Sequence, residues 1–167
     1  MADQTPLDQR STEVFIDASP ERVYDVISDV RRMGEWSPDV QEVYFVEGYQ
    51  ETAEGAKFEG KDNEGLLGRK SYCKVHTARR GEELAWEVLD GEFPLTRWRY
   101  QLHTDGEGTR VQATAELVRV PTSMKLQFLL HGGQEGRMKK LEQSMQTTLE
   151  RIKESVEKEQ EPHAAVA

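Results

Sequence analysis

The chain has 167 residues, with 31 acidic and 22 basic side chains and a formal net charge of −9 at pH 7. Its 36% hydrophobic and 32% charged residues are typical of a folded protein with a polar surface, not of a disordered one. The acidic balance argues against nucleic acid as a partner, because phosphates would repel it. No apolar run is long enough for membrane insertion.

The chain contains a single cysteine, Cys73, so no intrachain disulfide is predicted. Cys73 and the four histidines lack the spacing of zinc ligands, and we therefore predict no metal and no cofactor. The first ten residues contain no apolar core of a secretory signal, which makes the cytoplasm the expected location.

The N-terminal region predicts a strand followed by a short helical pair. Residues 1–10 are expected to be flexible, and the alternation in "TEVFIDA" favours a strand. Ser19 suits an N-cap and Pro20 suits the first helical position. Gly34 is expected to end or kink the helical segment at 20–34, and Pro38 prevents an easy restart.

The middle of the chain predicts a meander of antiparallel hairpins, because strand-like segments alternate with short turn signals. The predicted strands are 40–48, 56–62, 69–79, 83–89, 96–104 and 109–119. The last segment predicts one long amphipathic helix, since its apolar residues recur at spacings of three and four. These residues are Met138, Leu141, Met145, Leu149, Ile152 and Val156.

This order of elements predicts an α+β domain over residues 11–160, followed by a flexible tail at 161–167. The apolar face of a single sheet has to be covered, and the C-terminal helix is the only large cover that the sequence offers. A curved sheet around one helix should diverge from it near one end and leave a cavity. The helical pair would fill the gap between the first two strands, with Trp36 near a cavity mouth.

The segment "ASPERVYDVISDVRRMGEWSPDVQEV" resembles the opening of the START-like (SRPBCC) superfamily, whose bacterial members include polyketide cyclase/dehydrase-type proteins. The hairpin "TRWRYQLHTDGEGTRVQATAEL" and the helix end "LERIKESVE" are also similar to it. The resemblance covers residues 11–158. It implies the helix-grip fold, with a curved seven-stranded antiparallel sheet around a long C-terminal helix. It specifies no reaction, because the superfamily includes lipid carriers, cyclases, receptors and co-chaperone regulators.

Strand alternation predicts which side chains face the cavity. Charged residues such as Lys74 and Arg99 should face solvent, as should His76 and His103, which places their mainly apolar neighbours inside. An apolar lining with few polar groups is typical of small-molecule pockets. The predicted ligand-binding residues are Trp36, Phe58, Arg69, Ser71, Cys73, Trp86, Trp98, Tyr100, Ala113, Ala115, Met124, Phe128, Met138 and Leu141.

Several features have two interpretations. Asp62 and Arg69, with Tyr100, are weak catalytic candidates, but the first two are also consistent with a simple ion pair at the rim. Cys73 is interpreted as a small buried filler and not as a nucleophile. Trp86 and Trp98 are also consistent with ordinary core packing near the pocket.

Two apolar segments each have more than one interpretation. Leu66 and Leu67 at a hairpin tip would pack back on the body, cover the pocket mouth or contact a partner chain. Segment 123–131, with a hinge at Gly132–Gly133, is either a gate or a plain helix start with a glycine kink.

Three functions follow as alternatives. The first is binding of a small hydrophobic molecule, such as a polyketide, a lipid or an aromatic metabolite. The second is an aromatase/cyclase-type enzyme that uses the same cavity, and the third is a protein-interaction module. Oligomeric state is left open, a homodimer included.

Overall fold

The computed structural model describes residues 5–63, 69–130 and 132–160. Seven strands in this part of the chain form one unclosed antiparallel sheet with the order β1-β7-β6-β5-β4-β3-β2. The strands are β1 Asp8–Ile16, β2 Val40–Phe45, β3 Lys57–Asp62, β4 Lys70–Arg79, β5 Glu83–Asp90, β6 Phe93–Asp105 and β7 Gly108–Leu117. The helices are α1 Pro20–Ile27, α2 Met33–Trp36, α3 Thr122–Leu130 and α4 Gly133–Gln160, with a 3₁₀ turn at Val30–Arg32.

The first strand starts earlier than the sequence predicts. Residues 8–10, expected to be flexible, belong to β1, which pairs with β7 from Asp8 opposite Leu117 to Ile16 opposite Thr109. The backbone N–H of Leu7 also donates to the Leu117 carbonyl at 2.7 Å. Pairing with an interior strand therefore orders this polar segment despite its weak apolar pattern.

The helical pair is present, but its break lies at a different residue. The Ser19 hydroxyl accepts the Arg22 N–H at 3.3 Å and caps α1, as predicted. The helix ends at Ile27, where the Thr52 hydroxyl donates to the Ser28 carbonyl at 2.5 Å. The expected break at Gly34 is thus wrong, because this glycine lies inside α2.

Gly34 is required for close packing and not for helix termination. A Cβ atom at this position would lie 2.6 Å from the Gln41 carbonyl oxygen of β2. The short α2 helix therefore lies directly on the start of the second strand, which is the corner that the helical pair was expected to fill. Two short helices achieve this turn where one long helix would continue past the sheet edge.

The predicted meander is confirmed, and three strand ends differ from the prediction by two or more residues. β2 stops at Phe45 because Glu47 and Gly48 have φ values of 54° and 84°, which only a turn accommodates. β6 begins at Phe93, three residues early, because its hairpin with β5 continues past a bulge between Val88 and Leu89. β7 ends at Leu117 instead of residue 119.

The predicted faces of the strands are confirmed by burial. Cys73, Val75, Leu84, Trp86 and Tyr100 are buried on the inner face. His76 and His103 are exposed on the outer face, where His76 lies 2.8 Å from a Glu87 carboxylate oxygen. The apolar stripe of α4 packs on the inner face, with Leu149 and Val156 fully buried. The arrangement is the predicted helix-grip fold.

Candidate functional site

A partly enclosed cavity of about 280 Å³ lies between the inner face of the sheet and α4. Strands β2 to β7 contribute lining residues on the sheet side, α4 lines the opposite side, and α3 closes one end. All but three of the predicted ligand-binding residues line it: Phe58, Arg69, Ser71, Cys73, Trp86, Trp98, Tyr100, Met124, Phe128, Met138 and Leu141. The weak catalytic candidates Asp62, Arg69 and Tyr100 are among the lining residues.

Aromatic rings form a continuous surface along one side of the cavity. Trp86 and Trp98 are directly opposite each other on β5 and β6, and their rings stack with centroids 6.1 Å apart and planes 8° apart. The Tyr100 ring stacks on Trp86 at 5.5 Å, and Phe58 packs against Trp86 at 6.3 Å. Each aromatic pair of this kind contributes about 0.5–1.5 kcal/mol to stability beyond the effect of surface burial, which helps to fix the positions of the rings.

Three predicted lining residues do not reach the cavity. Trp36, the last residue of α2, is buried, and the Arg32 guanidinium lies 5.1 Å from the centroid of its ring. Its neighbours Met33 and Ser37 line the cavity instead. Ala113 and Ala115 are buried opposite Tyr100 and Trp98 in the β6–β7 ladder. Their small side chains lie beside these large rings, and neither alanine lines the cavity.

Polar groups on α4 also line the cavity, and they were not predicted from the sequence. The Ser144 hydroxyl hydrogen-bonds to the Asp39 carboxylate, and the Thr148 hydroxyl donates to the Ser144 carbonyl at 2.8 Å. Both residues fall within the apolar stripe, because Ser144 lies three residues after Leu141 and Thr148 three residues after Met145. Polar residues on the buried stripe of an amphipathic helix were the signal that could have identified them.

Asp62 and Arg69 lie together at the open end of β3 and β4. The Asp62 N–H donates to the Arg69 carbonyl at 2.9 Å, and the Arg69 guanidinium donates to the Gln127 side chain of α3 at 2.8 Å. Arg69 therefore connects the sheet to the helix that closes the cavity. The predicted hairpin tip at Leu66 and Leu67 lies outside the described residues.

Cys73 and Tyr100 remain protonated inside the cavity wall. Burial, and to a lesser extent the charge of Asp62, raises the pKa of the Cys73 thiol well above its ordinary value. Burial alone raises the pKa of the Tyr100 phenol. A protonated thiol is a poor nucleophile, which agrees with the interpretation of Cys73 as a filler.

The Tyr100 hydroxyl is available to a bound molecule. Tyr100 is 8% exposed and lines the cavity, and among the described residues its hydroxyl has no hydrogen-bond partner. In the described part of the chain, every fully buried polar side-chain atom has a hydrogen-bond partner. The Tyr100 hydroxyl, which has none there, is therefore in contact with solvent. A neutral phenol in this position donates a hydrogen bond to a carbonyl or hydroxyl oxygen.

The end of the cavity is closed by α3, which has two different faces. Phe128 is buried and Met124 half-buried against the body, whereas Leu126, Leu129 and Leu130 are 66–75% exposed. Gly132 and Gly133, with φ values of 83° and 73°, form the sharp turn into α4. The glycine pair thus supplies the turn that a hinge would need.

Phe128 separates the cavity from a shallow depression of about 870 Å³ on the outer surface. That depression is larger but open to solvent, and Leu7, Val118 and Leu129 line it. It lacks the aromatic wall. The enclosed cavity is therefore the better candidate site, since small-molecule sites bury most of the ligand surface.

The charge of the cavity lining differs from that of the chain. Five lining residues are basic, namely Arg69, Lys70, Arg119, Arg137 and Lys140, and only Asp39 and Asp62 are acidic. The chain as a whole has a net charge of −9. Within the described ranges, no group of three or more histidine, cysteine, aspartate or glutamate side chains is arranged to hold a metal ion. None of the helices in those ranges is long and apolar enough to cross a membrane.

The comparison with protein families gives one match. A family model described as "Polyketide cyclase / dehydrase and lipid transport" matches residues 9–157. A search of curated proteins finds no significant match.

Solved structures of similar fold include proteins from several bacteria. A Polyketide_cyc-like protein from Corynebacterium glutamicum is 24% identical, with a TM-score of 0.60 over 95% of this chain and 97% of that one. A protein from Thermus thermophilus is 20% identical, with a TM-score of 0.67 over 92% and 99%. The Zhui aromatase/cyclase from a Streptomyces species is 17% identical, with a TM-score of 0.67 over 90% and 94%. At these identities the likeness shows the fold alone.

Proposed function

Since the chain belongs to the polyketide cyclase/dehydrase and lipid transport family, we propose that it binds a small hydrophobic molecule between the sheet and α4. A polyketide, a lipid or an aromatic metabolite fits this description. The observation that carries the proposal is the partly enclosed cavity of about 280 Å³ with its continuous wall of Phe58, Trp86, Trp98 and Tyr100.

The energetics of packing support this proposal. Protein interiors are close-packed, and an apolar void costs roughly 24 cal/mol per Å³ of cavity. A sealed apolar void of the observed size would cost up to several kcal/mol, and the apolar part of this partly enclosed cavity carries a share of that cost. A bound apolar molecule removes that cost and covers the aromatic surface, which is why a binding site explains the void better than imperfect packing does.

A cyclase-type enzyme is the second candidate, and the Tyr100 hydroxyl favours it. This group has no hydrogen-bond partner among the described residues, lines the cavity and is kept protonated by burial, so it would donate a hydrogen bond to a ketone oxygen of a folded substrate. Asp62 and Arg69 line the same cavity. Holding a flexible chain in a reactive geometry would supply the rest of the acceleration.

A protein-interaction module is less favoured by the outer face of the sheet. That face carries ion pairs such as Arg97 with Glu87 at 3.0 Å and Arg99 with Glu83 at 3.2 Å. Charged residues of this kind are depleted in the cores of protein–protein interfaces.

Native mass spectrometry of the protein purified from its own host tests the proposal. We expect a co-purifying hydrophobic molecule, whose extraction and identification would name the compounds to assay for turnover. Turnover of that compound, lost in Tyr100→Phe, would favour the enzyme over the carrier. An empty protein that takes up nothing from a panel of polyketides and fatty acids would contradict the binding proposal and favour an interaction module. The same spectra report whether a homodimer forms.

A further inference from the structure

We propose that the ligand is an amphiphile with an anionic headgroup, a carboxylate or a phosphate, held by Arg119 and Arg137 at the α3 end of the cavity. The apolar tail would lie along the aromatic wall. This inference rests on the proposed binding function and adds the chemical class of the ligand and its orientation.

The first observation is the local reversal of charge. The cavity lining has an excess of basic residues in a chain whose net charge is strongly negative. One of its two acidic residues, Asp39, already accepts a hydrogen bond from Ser144. Lys70 pairs with Glu59 at 3.4 Å, and Arg69, Arg119 and Lys140 are exposed at the cavity rim, with Arg137 half-buried. Positive charges at the rim of an apolar space are complementary to an anionic headgroup whose tail enters that space.

The second observation is the environment of two arginines. The Arg137 guanidinium lies 5.7 Å from the centroid of the Phe128 ring, and that of Arg119 lies 4.8 Å from the Phe93 ring. Within the described residues, neither guanidinium has a carboxylate oxygen within 4.0 Å. Arginines away from the cavity, such as Arg80 and Arg110, do have such partners. Arg119 and Arg137 are therefore held in place by aromatic rings while their hydrogen-bond donors stay available.

The third observation is their position relative to the wall. Arg119 and Phe128 line both the cavity and the outer depression, so they mark the mouth between the two. Arg137 lies one residue before Met138, the first buried residue of the α4 stripe. A headgroup at this mouth keeps contact with water, and the attached tail points towards Trp98 and Tyr100. The polar and apolar ends of the site thus match an amphiphile.

The test uses four probes with the same tail: decanoate, decyl phosphate, decanol and decyltrimethylammonium. Dissociation constants are measured by calorimetry at neutral pH and low salt. We expect the two anions to bind at least about tenfold more tightly than decanol, and the ammonium probe to bind more weakly than decanol. The better of the two anions identifies the headgroup as carboxylate or phosphate.

Variants locate the headgroup. Arg119→Gln and Arg137→Gln should each weaken binding of the better anion about tenfold and leave decanol binding unchanged. The matched control is Lys139→Gln, which removes an exposed charge that lies on the same helix but does not line the cavity. This control variant should leave the affinities for the better anion and for decanol unchanged. Urea unfolding midpoints confirm that each variant is folded.

The outcomes separate this inference from the function on which it rests. Equal affinity for decanoate, decyl phosphate and decanol, with no effect of either arginine variant, would overturn the anionic headgroup and leave hydrophobic binding intact. Tightest binding of the ammonium probe would also overturn it. Binding of none of the four probes would count against both proposals.

Discussion

The side chains of Trp98 and Arg99 are neighbours in sequence but lie on opposite faces of β6. Trp98 stacks on Trp86 in the cavity wall, whereas Arg99 is 52% exposed and pairs with Glu83. We expect Trp98→Ala to lower the unfolding free energy by about 3 kcal/mol, as for large-to-small changes in cores, and to abolish ligand uptake. Arg99→Ala should lower the unfolding free energy by only about 0–1 kcal/mol. Urea unfolding and ligand titration of both variants check this, and equal small effects would contradict the inward placement of Trp98.

The thiol of Cys73 should resist modification in the native protein. It is 4% exposed, and burial raises its pKa, so the reactive thiolate is scarce at neutral pH. We expect an aromatic disulfide reagent to modify it only at the rate at which the protein opens, and immediately in concentrated guanidinium. Rapid stoichiometric modification of the native protein at neutral pH would show that the thiol is open to the cavity mouth.

At the scale of elements, the contact of α2 with β2 makes a clear prediction for Gly34→Ala. In a helix interior, alanine is favoured over glycine by about 0.5–1 kcal/mol. Here the added Cβ would meet the Gln41 carbonyl oxygen at 2.6 Å, and overpacking of this kind costs about 1–3 kcal/mol. The cost of the clash should exceed the gain in helix propensity, so we expect Gly34→Ala to lower the unfolding midpoint in urea.

Gly60→Ala is the matched control for this prediction. Gly60 lies in β3, and a Cβ there meets only a Val43 methyl group at 4.0 Å, which is ordinary contact. We expect its stability to stay within about 0.5 kcal/mol of that of the unchanged protein. A Gly34→Ala protein as stable as this control would show that α2 can move away from β2.

Strand and helix types were predictable because local patterns determine them. The alternation through Ser71, Cys73 and Val75 fixes the inner face of β4, and the α4 stripe follows from its spacing. The end of α1 was not predictable, because it depends on Ser28 and Thr52, which are far apart in sequence. In a sequence, a glycine that allows two backbones to approach closely, as Gly34 does, looks the same as a glycine that ends a helix.

At the scale of the whole molecule, the cavity was predictable as a consequence of the fold, but its exact lining was not. Alternation places Ala113 and Ala115 on the inner face, opposite Tyr100 and Trp98, without showing that neither alanine lines the cavity. Ser144, Thr148 and Arg137 reach the cavity only because α4 crosses the sheet at a particular rotation. Rotation and crossing angle arise from long-range packing, which a single sequence does not encode locally.

Binding should stabilise the entire domain. A ligand that binds only the folded state at a concentration of 100 Kd contributes about 2.7 kcal/mol. For a chain of this length each kcal/mol raises Tm by about 2–4 °C, so saturation should raise Tm by roughly 5–10 °C. Thermal unfolding monitored by circular dichroism, with and without the ligand identified from the host, checks this. An unchanged Tm at saturation would indicate that the molecule binds the unfolded chain equally well or does not bind.

The order of the strands sets the order in which the sheet can assemble. Strands β2 to β7 pair with their neighbours in sequence, but β1 pairs with β7, and Asp8 lies opposite Leu117. Closing so long a loop is slow and entropically costly, so we expect β1, the strand synthesised first, to be the last to pair. We expect Val14→Ala to accelerate unfolding and leave the refolding rate unchanged in stopped-flow experiments. The N-terminal strand would then complete a sheet whose other six strands are already paired.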